Sequence, residues 1–338
     1  MSDQPAPVTD AVLRALPKVE LHVHLEGTFT PDRITELARA AGEPLPRPAD
    51  QIYLTADLSE FLATLDWVCG LVRTPEEASA QAAAFAHAAA AQGTVYAEVI
   101  VNPTHWSGLP VAELLAAVAD GFEAAHRDGG ADCRLLPSLL RSQPAEAAEA
   151  LVELMQKLAH PRIVGLSVDG NEAAAGPGTC ARFAPAYELA RSKGFGATAH
   201  AGESSGPEGV RDALDLLGVS RIDHGVRAVE DPSLVRRLAD EGITLNVCLT
   251  SNCHLLYPSL DDHPLPTLAA AGVPFTINTD DPETLRITLA SELGLAARHL
   301  GWGVDDLVES QRRAVRASFA DEATKAALLA RLDAFRPG

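Results

Sequence analysis

An α/β barrel of eight parallel strands, each followed by a helix, is the fold class that this sequence predicts, on three observations. Short, β-branched apolar runs alternate regularly with longer Ala/Leu-rich segments along the 338 residues. Eight such runs occur, most of them apolar almost without interruption, as expected of strands buried on both faces of a parallel sheet. Several end on a histidine or an aspartate, and this fold builds its sites at the C-terminal ends of its strands.

The strands are expected over 19–24, 95–101, 133–139, 163–169, 196–200, 221–224, 243–247 and 274–278. Helical periodicity fills 111–127, 144–158, 180–193, 206–217, 233–240 and 265–271. Gly194, Gly218, Gly242 and Gly272 each follow such a segment, where a left-handed cap is wanted. No Gly-x-Gly-x-x-Gly follows the first strand, which disfavours a doubly wound dinucleotide fold. Between the first two strands, residues 28–92 exceed one crossover and suggest three helices, near 31–41, 58–71 and 75–91. This segment reads as a helical cap inserted into a single domain spanning 1–338. Three extra helices, over 285–298, 303–317 and 321–335, close the chain.

Composition narrows the chemistry. With 46 acidic against 27 basic side chains, the net charge is −19. Such a surface repels phosphate backbones and anionic membranes, so nucleic acid and membrane are not expected partners. No run approaches the roughly 18 apolar residues of a membrane span. Met1–Pro7 has neither the basic nor the apolar segment of a secretory signal. Five cysteines without a Cys-x-x-Cys pair read as free thiols. A cytoplasmic protein acting on a small molecule is expected; the oligomeric state is not legible.

The strand ends carry the chemistry. His22 and His24 alternate onto one face of the first strand. His200 and Glu203 follow the fifth, His224 ends the sixth, and Asp280 and Asp281 follow the eighth. Imidazoles and a carboxylate gathered from different strands suit a borderline metal such as zinc. Each residue also has a plainer reading: His200 as a satisfied core histidine, and Asp280-Asp281 as a cap for the helix beginning at Pro282. Phe61, Leu62 and Leu65 lie at helical spacing with Leu58 in the insertion, either as core packing or as an apolar gate over a ligand. The cytidine-type pairing of His-x-Glu with Pro-Cys-x-x-Cys is absent. So are a His-Glu-x-x-His protease helix and a Gly-x-Ser-x-Gly elbow.

Taken in order, Pro17-Lys18-Val19-Glu20-Leu21-His22-Val23-His24-Leu25-Glu26-Gly27, Tyr96-Ala97-Glu98-Val99, His200-Ala201-Gly202-Glu203, Asp223-His224-Gly225 and Asn278-Thr279-Asp280-Asp281-Pro282 resemble the adenosine deaminase family of amidohydrolase barrels. The resemblance implies one Zn²⁺ per chain on His22, His24, His200 and Asp280, with a position left for water. It implies that His224 orients the water and acts as base, that Glu203 protonates N1 of a purine, and that Asp281 holds N7. It further implies that the backbone N–H of Gly170 approaches N3. The reaction would convert a 6-amino to a 6-oxo group with release of ammonia. A barrel that has lost catalysis and only binds a nucleoside is the alternative of another class; zinc content and ammonia release separate the two.

Two departures bear on substrate. The family's adenosine deaminases usually carry Asp where this chain has Glu26, a position near the ribose end. The stretch Ser167-Val168-Asp169-Gly170-Asn171-Glu172 keeps the Gly-x-Glu of the nucleoside enzymes but not the preceding Asp. On this compromise the favoured purine nucleoside is 6-aminodeoxyfutalosine, an intermediate of menaquinone synthesis, followed by adenosine. Adenine or an N6-substituted adenine is the alternative. Arg73, Arg141 and Arg182 could partner the carboxylate tail of the first, but each reads more simply as a surface arginine.

Overall fold

The computed structural model describes residues 8–55 and 58–337. Eight strands form one parallel sheet in sequential order: β1 (Lys18–His24), β2 (Thr94–Val101), β3 (Asp132–Leu140), β4 (Gly165–Asp169), β5 (Gly196–Ala201), β6 (Arg221–His224), β7 (Thr244–Val247) and β8 (Phe275–Ile277). All seven consecutive pairs are parallel. The eighth contact, which makes the sheet a (β/α)8 barrel, is a parallel bridge between Val23 and Asp280. There His24 N–H donates to the Asp280 carbonyl at 2.8 Å, and Asp280 N–H donates to the His22 carbonyl at 3.2 Å. Lower on the seam, side chains replace the ladder: Leu21 N–H donates to Asn278 Oδ1 at 2.8 Å and Thr279 N–H to Glu20 Oε1 at 3.0 Å. The barrel thus closes at its C-terminal rim through the backbone of three expected metal-site residues.

Burial follows the expected pattern, with apolar residues of every strand in one continuous core. Gly194, Gly218, Gly242 and Gly272 all have positive φ, between 60° and 84°, as their place after helical segments requires. The segment between β1 and β2 contains the helices Pro31–Ala41, Leu58–Gly70 and Pro75–Ala91, the last opened by a capping box of Thr74 with Glu77. After β8 come Pro282–Leu285, Leu289–Leu300, Val304–Ala317 and Glu322–Ala334.

Three of the expected helices take a different form. Over 180–193 a 3₁₀ turn (Thr179–Phe183) precedes the α-helix Ala184–Ser192, because Pro185 lacks an N–H and suits only a helix start. Over 206–217 the α-helix Pro207–Asp212 widens into a π turn, Ala213–Leu217. The helix expected over 285–298 is broken at Arg286 (φ 56°), and a new helix starts behind the Thr288–Ser291 capping box. The helix Leu249–Leu255 after β7 was not foreseen; at seven residues it is too short for its periodicity to register.

Candidate active site

Strand geometry brings the expected residues together. His22, His200, His224 and Asp280 each offer a ligand atom, and these atoms lie within 4.8 Å of one another. His22 Nε2 is 3.0 Å from Asp280 Oδ1. His24 Nε2 is 3.4 Å from the same oxygen and 3.0 Å from His200 Nε2. A tetrahedral zinc with bonds of about 2.0–2.1 Å has ligand–ligand edges of about 3.3 Å, and these three separations among His22, His24, His200 and Asp280 are of that size. His224 Nε2 stands farther off, 3.9 Å from Asp280 Oδ2. Two of these residues carry strained backbone: His224 and Asp280 have φ of 64° and 67°, a region costing a non-glycine residue roughly 1–2 kcal/mol.

The electrostatics suit a cation. Burial pushes the His24 and His200 imidazoles below their ordinary range, leaving them neutral as metal ligands must be. Burial also opposes charge on His22, but Asp223 and Asp280 flank its two nitrogens and push it up to about 10, so a cation bound there would have to displace its Nε2 proton. Asp223 is fully buried, with Oδ1 3.3 Å from His22 Nδ1 and Oδ2 3.7 Å from His200 Nδ1. Burial would raise its carboxyl, yet the His22 imidazole beside it holds it well below the carboxylate range. One ionised carboxylate thus backs two of the ring nitrogens that point away from the centre, an arrangement that orients metal ligands. Asn246 Nδ2 and the Ser167 hydroxyl donate to Asp223, at 2.7 and 3.4 Å.

Around this centre stand three further carboxyls. Glu203 Oε1 is 3.5 Å from His224 Nε2, and burial raises its carboxyl although His224 pulls it back. The turn holding Glu203 is pinned by Glu172, which accepts from Gly202 N–H (3.1 Å), Glu203 N–H (2.9 Å), Ser205 N–H (3.3 Å) and the Ser205 hydroxyl (2.7 Å). Asp281 occupies the N-cap of Pro282–Leu285 but makes no capping bond with its side chain. Its Oδ1 is buried without a partner. Burial, and next the charge of Asp280, raise its carboxyl well above the usual range, while Asp280 stays ionised beside His22. Gly27 makes room for it: a Cβ there would stand 2.0 Å from Asp281 Oδ1. Glu26 accepts from Asn102 N–H and the Trp106 indole N–H through Oε1, at 2.8 and 2.7 Å, and leaves Oε2 buried and unpartnered. Its burial pushes the carboxyl up to about 7.

These groups open into a cavity of about 520 Å³. Its lining includes His24, His200, Glu203, Asp280 and Asp281, with Asp169, Gly170, Phe61, Leu62 and Leu65.

Residues 17–335 match the sequence profile of the family described as Adenosine deaminase. The chain belongs to the adenosine deaminase family. Among relatives, the adenine deaminase of Sinorhizobium medicae is 39% identical over 321 residues, covering 94% of this chain and 98% of that one. Among solved structures, adenine deaminase from Arthrobacter aurescens has a TM-score of 0.87 at 30% identity, covering 94% of this chain and 98% of that one. An amidohydrolase from Burkholderia ambifaria with bound zinc has a TM-score of 0.88 at 33% identity, covering 97% and 95%.

Family membership makes the chain a hydrolase of C–N bonds in aminopurines, as its motifs implied. The capping reading of Asp280-Asp281 fails, since neither carboxylate caps the helix. Phe61, Leu62 and Leu65 all face the cavity, and the Leu58 side chain lies outside the described residues. None of the three arginines considered for a substrate tail lines the cavity, and the surface reading holds for Arg73 and Arg182. Arg73 is held at the surface by the Ala41 carbonyl and Glu43. Arg182 donates to the carbonyls of Thr179 and Gln143. Arg141 is buried behind β5, donating to Cys180 Sγ and the His200 carbonyl. Sequence reasoning left several residues without a role: Asp223, although its motif was recognised; Ser251, whose hydroxyl donates to Asp280 Oδ2 at 2.7 Å; and Asn252 with His263 behind His224. Ser251 and Asn252 sit on the short helix after β7, whose only histidine, His254, belongs to none of the recognised motifs.

Proposed function

We propose that the chain is a zinc-dependent hydrolytic deaminase of adenine. The observation that carries the substrate is the agreement of relatives 37–40% identical over 93–94% of this chain, all named adenine deaminase. This favours the alternative drawn from the sequence over 6-aminodeoxyfutalosine. The cavity supplies a physical reason: among its described lining residues, none is lysine or arginine, and four are Asp or Glu besides Asp280. A carboxylate tail would find no guanidinium or ammonium partner among them.

In this reading His22, His24, His200 and Asp280 hold Zn²⁺. When bound, the metal lowers the pKa of a water toward about 7 and so supplies the nucleophile. Glu203, kept neutral by burial, donates its proton to N1, which makes C6 more electrophilic. Asp281, also neutral, donates from its unpartnered carboxyl to N7, an acceptor in the 9H tautomer of the base. Gly170 approaches N3, and Glu26 Oε2 accepts from a donor at the far end of the base. His224 faces the space between Glu203 and Asp280 and orients the water. Phe61, Leu62 and Leu65 form an apolar gate that excludes bulk water, on a cap formed by residues 28–92.

Adenosine is the second reading, favoured by a cavity with room beyond the purine. A panel of adenine, adenosine, 2′-deoxyadenosine and 6-aminodeoxyfutalosine, compared by kcat/KM, tests the assignment. Adenine should lead, and a leading value for either nucleoside class would overturn it.

A further inference from the structure

The ring of His224 faces Glu203 and Asp280 through Nε2, so the position of its proton decides what it can do there. Its other nitrogen, Nδ1, lies 3.0 Å from Asn252 Nδ2. The Asn252 amide is in turn oriented from behind: its Oδ1 is 3.3 Å from His263 Nε2. At the far end, the backbone N–H of Leu265 donates to His263 Nδ1 at 3.1 Å. His224, Asn252 and His263 are all buried, so no bulk water competes for these bonds.

Polarity propagates from the one donor that cannot be reversed. A backbone N–H only donates, so His263 Nδ1 bears no proton. Burial, and next the neighbouring His299, hold the His263 imidazole down to about 4, so the ring is neutral and its single proton sits on Nε2. That N–H donates to Asn252 Oδ1, which turns the amide NH₂ toward His224. The NH₂ donates to His224 Nδ1, and the proton of His224 is left on Nε2.

We propose that Asn252 and His263 are positioning residues that hold His224 as its Nε2–H tautomer, so that it presents a hydrogen-bond donor to the oxygen delivered to C6. A protonated nitrogen can neither ligate a metal nor accept a proton. The relay therefore separates His224 from the ligand group in which its position alone would place it, and leaves His24 to complete the four. It also replaces the base implied by family resemblance with a donor. The inference rests on the deaminase reading for its chemistry, but not for its tautomer.

Long-range ¹H–¹⁵N correlation spectra of the zinc-loaded full chain, with His224 assigned through His224→Gln, read the tautomer directly. Wild type should carry the His224 proton on Nε2. In Asn252→Asp the carboxylate accepts from Nδ1 and should move the proton there, with zinc stoichiometry unchanged. Loss of the donor should lower kcat by about 10²–10³-fold, with KM changed by less than about threefold. His263→Leu removes the orientation of the amide and should lower kcat and mix the tautomers, whereas His263→Gln can still donate to Asn252 Oδ1 and should restore both. This pair carries the test if Asn252→Asp does not fold. An Nδ1 proton in wild type, or undiminished kcat in Asn252→Asp or His263→Leu, would overturn the proposal. Failure of wild type to release ammonia from any 6-aminopurine would instead remove the deaminase reading, with the tautomer still decided by the spectra.

Discussion

Glu172 and Glu203 are bonded through the backbone: the Glu172 carboxylate accepts the Glu203 N–H at 2.9 Å and three further donors of the same turn. The carboxyl proposed to donate to the purine is therefore aimed by a second acid that follows β4. Glu172→Gln replaces one acceptor oxygen by an NH₂ group facing donors. We expect kcat to fall by about 10–100-fold with zinc retained, since misplacement of a reacting group by even 1 Å is costly. Steady-state kinetics with metal analysis of the same sample checks it; unchanged kcat would deny Glu172 this role.

Glu203 must be protonated to act as donor, and burial raises its carboxyl above the usual range. Deamination should therefore be lost as pH rises through that raised value, because the ionised form cannot donate. Glu203→Gln should lose about 10²–10⁴-fold in kcat at every pH, and with it this alkaline limb. A variant that keeps both the rate and the limb would assign the limb elsewhere.

Asp223 contacts both His22 and His200 on their outward nitrogens. Asp223→Asn should weaken zinc binding by about 10–100-fold, as removal of a partner behind a metal ligand generally does. Competition with a chelator measures this; affinity equal to wild type would contradict the orienting role.

Much of this was legible because it rests on local pattern. The strands announced themselves by near-continuous apolar runs, so their bounds differ from expectation by one or two residues, and Arg221–His224 agrees at both ends. His22 and His24 were legible as a pair because strand alternation requires no tertiary knowledge. Asp223, Ser251, Asn252 and His263 were not, because their roles come from contacts between residues far apart in the chain that no spacing encodes. The arginines were open to two readings for a related reason. Charge in the sequence does not say which side of the wall a long side chain lies on, and Arg141 lies behind it, bonded to the His200 carbonyl.

His263 gives a pH dependence of stability that is separate from catalysis. Its imidazole is held at about 4 against an ordinary 6.5, by burial and then by His299. The unfolded chain binds this proton more readily, so the stability contribution is complete above pH 6.5 and is lost as pH falls toward 4. The full loss is about 3 kcal/mol, of which about 2 kcal/mol is gone by pH 5. Urea unfolding at pH 7.5 and pH 5 should show a smaller pH difference for His263→Gln than for wild type. Equal differences would show that His263 is not held neutral in the fold.

The central claim is that one metal ion among His22, His24, His200 and Asp280 enables hydrolytic deamination of adenine. Its most direct test is ammonia release from adenine as zinc is returned to metal-stripped protein. The rate should rise linearly and saturate at one zinc per chain. Full turnover by the stripped protein, or no ammonia at saturating zinc, would contradict the account.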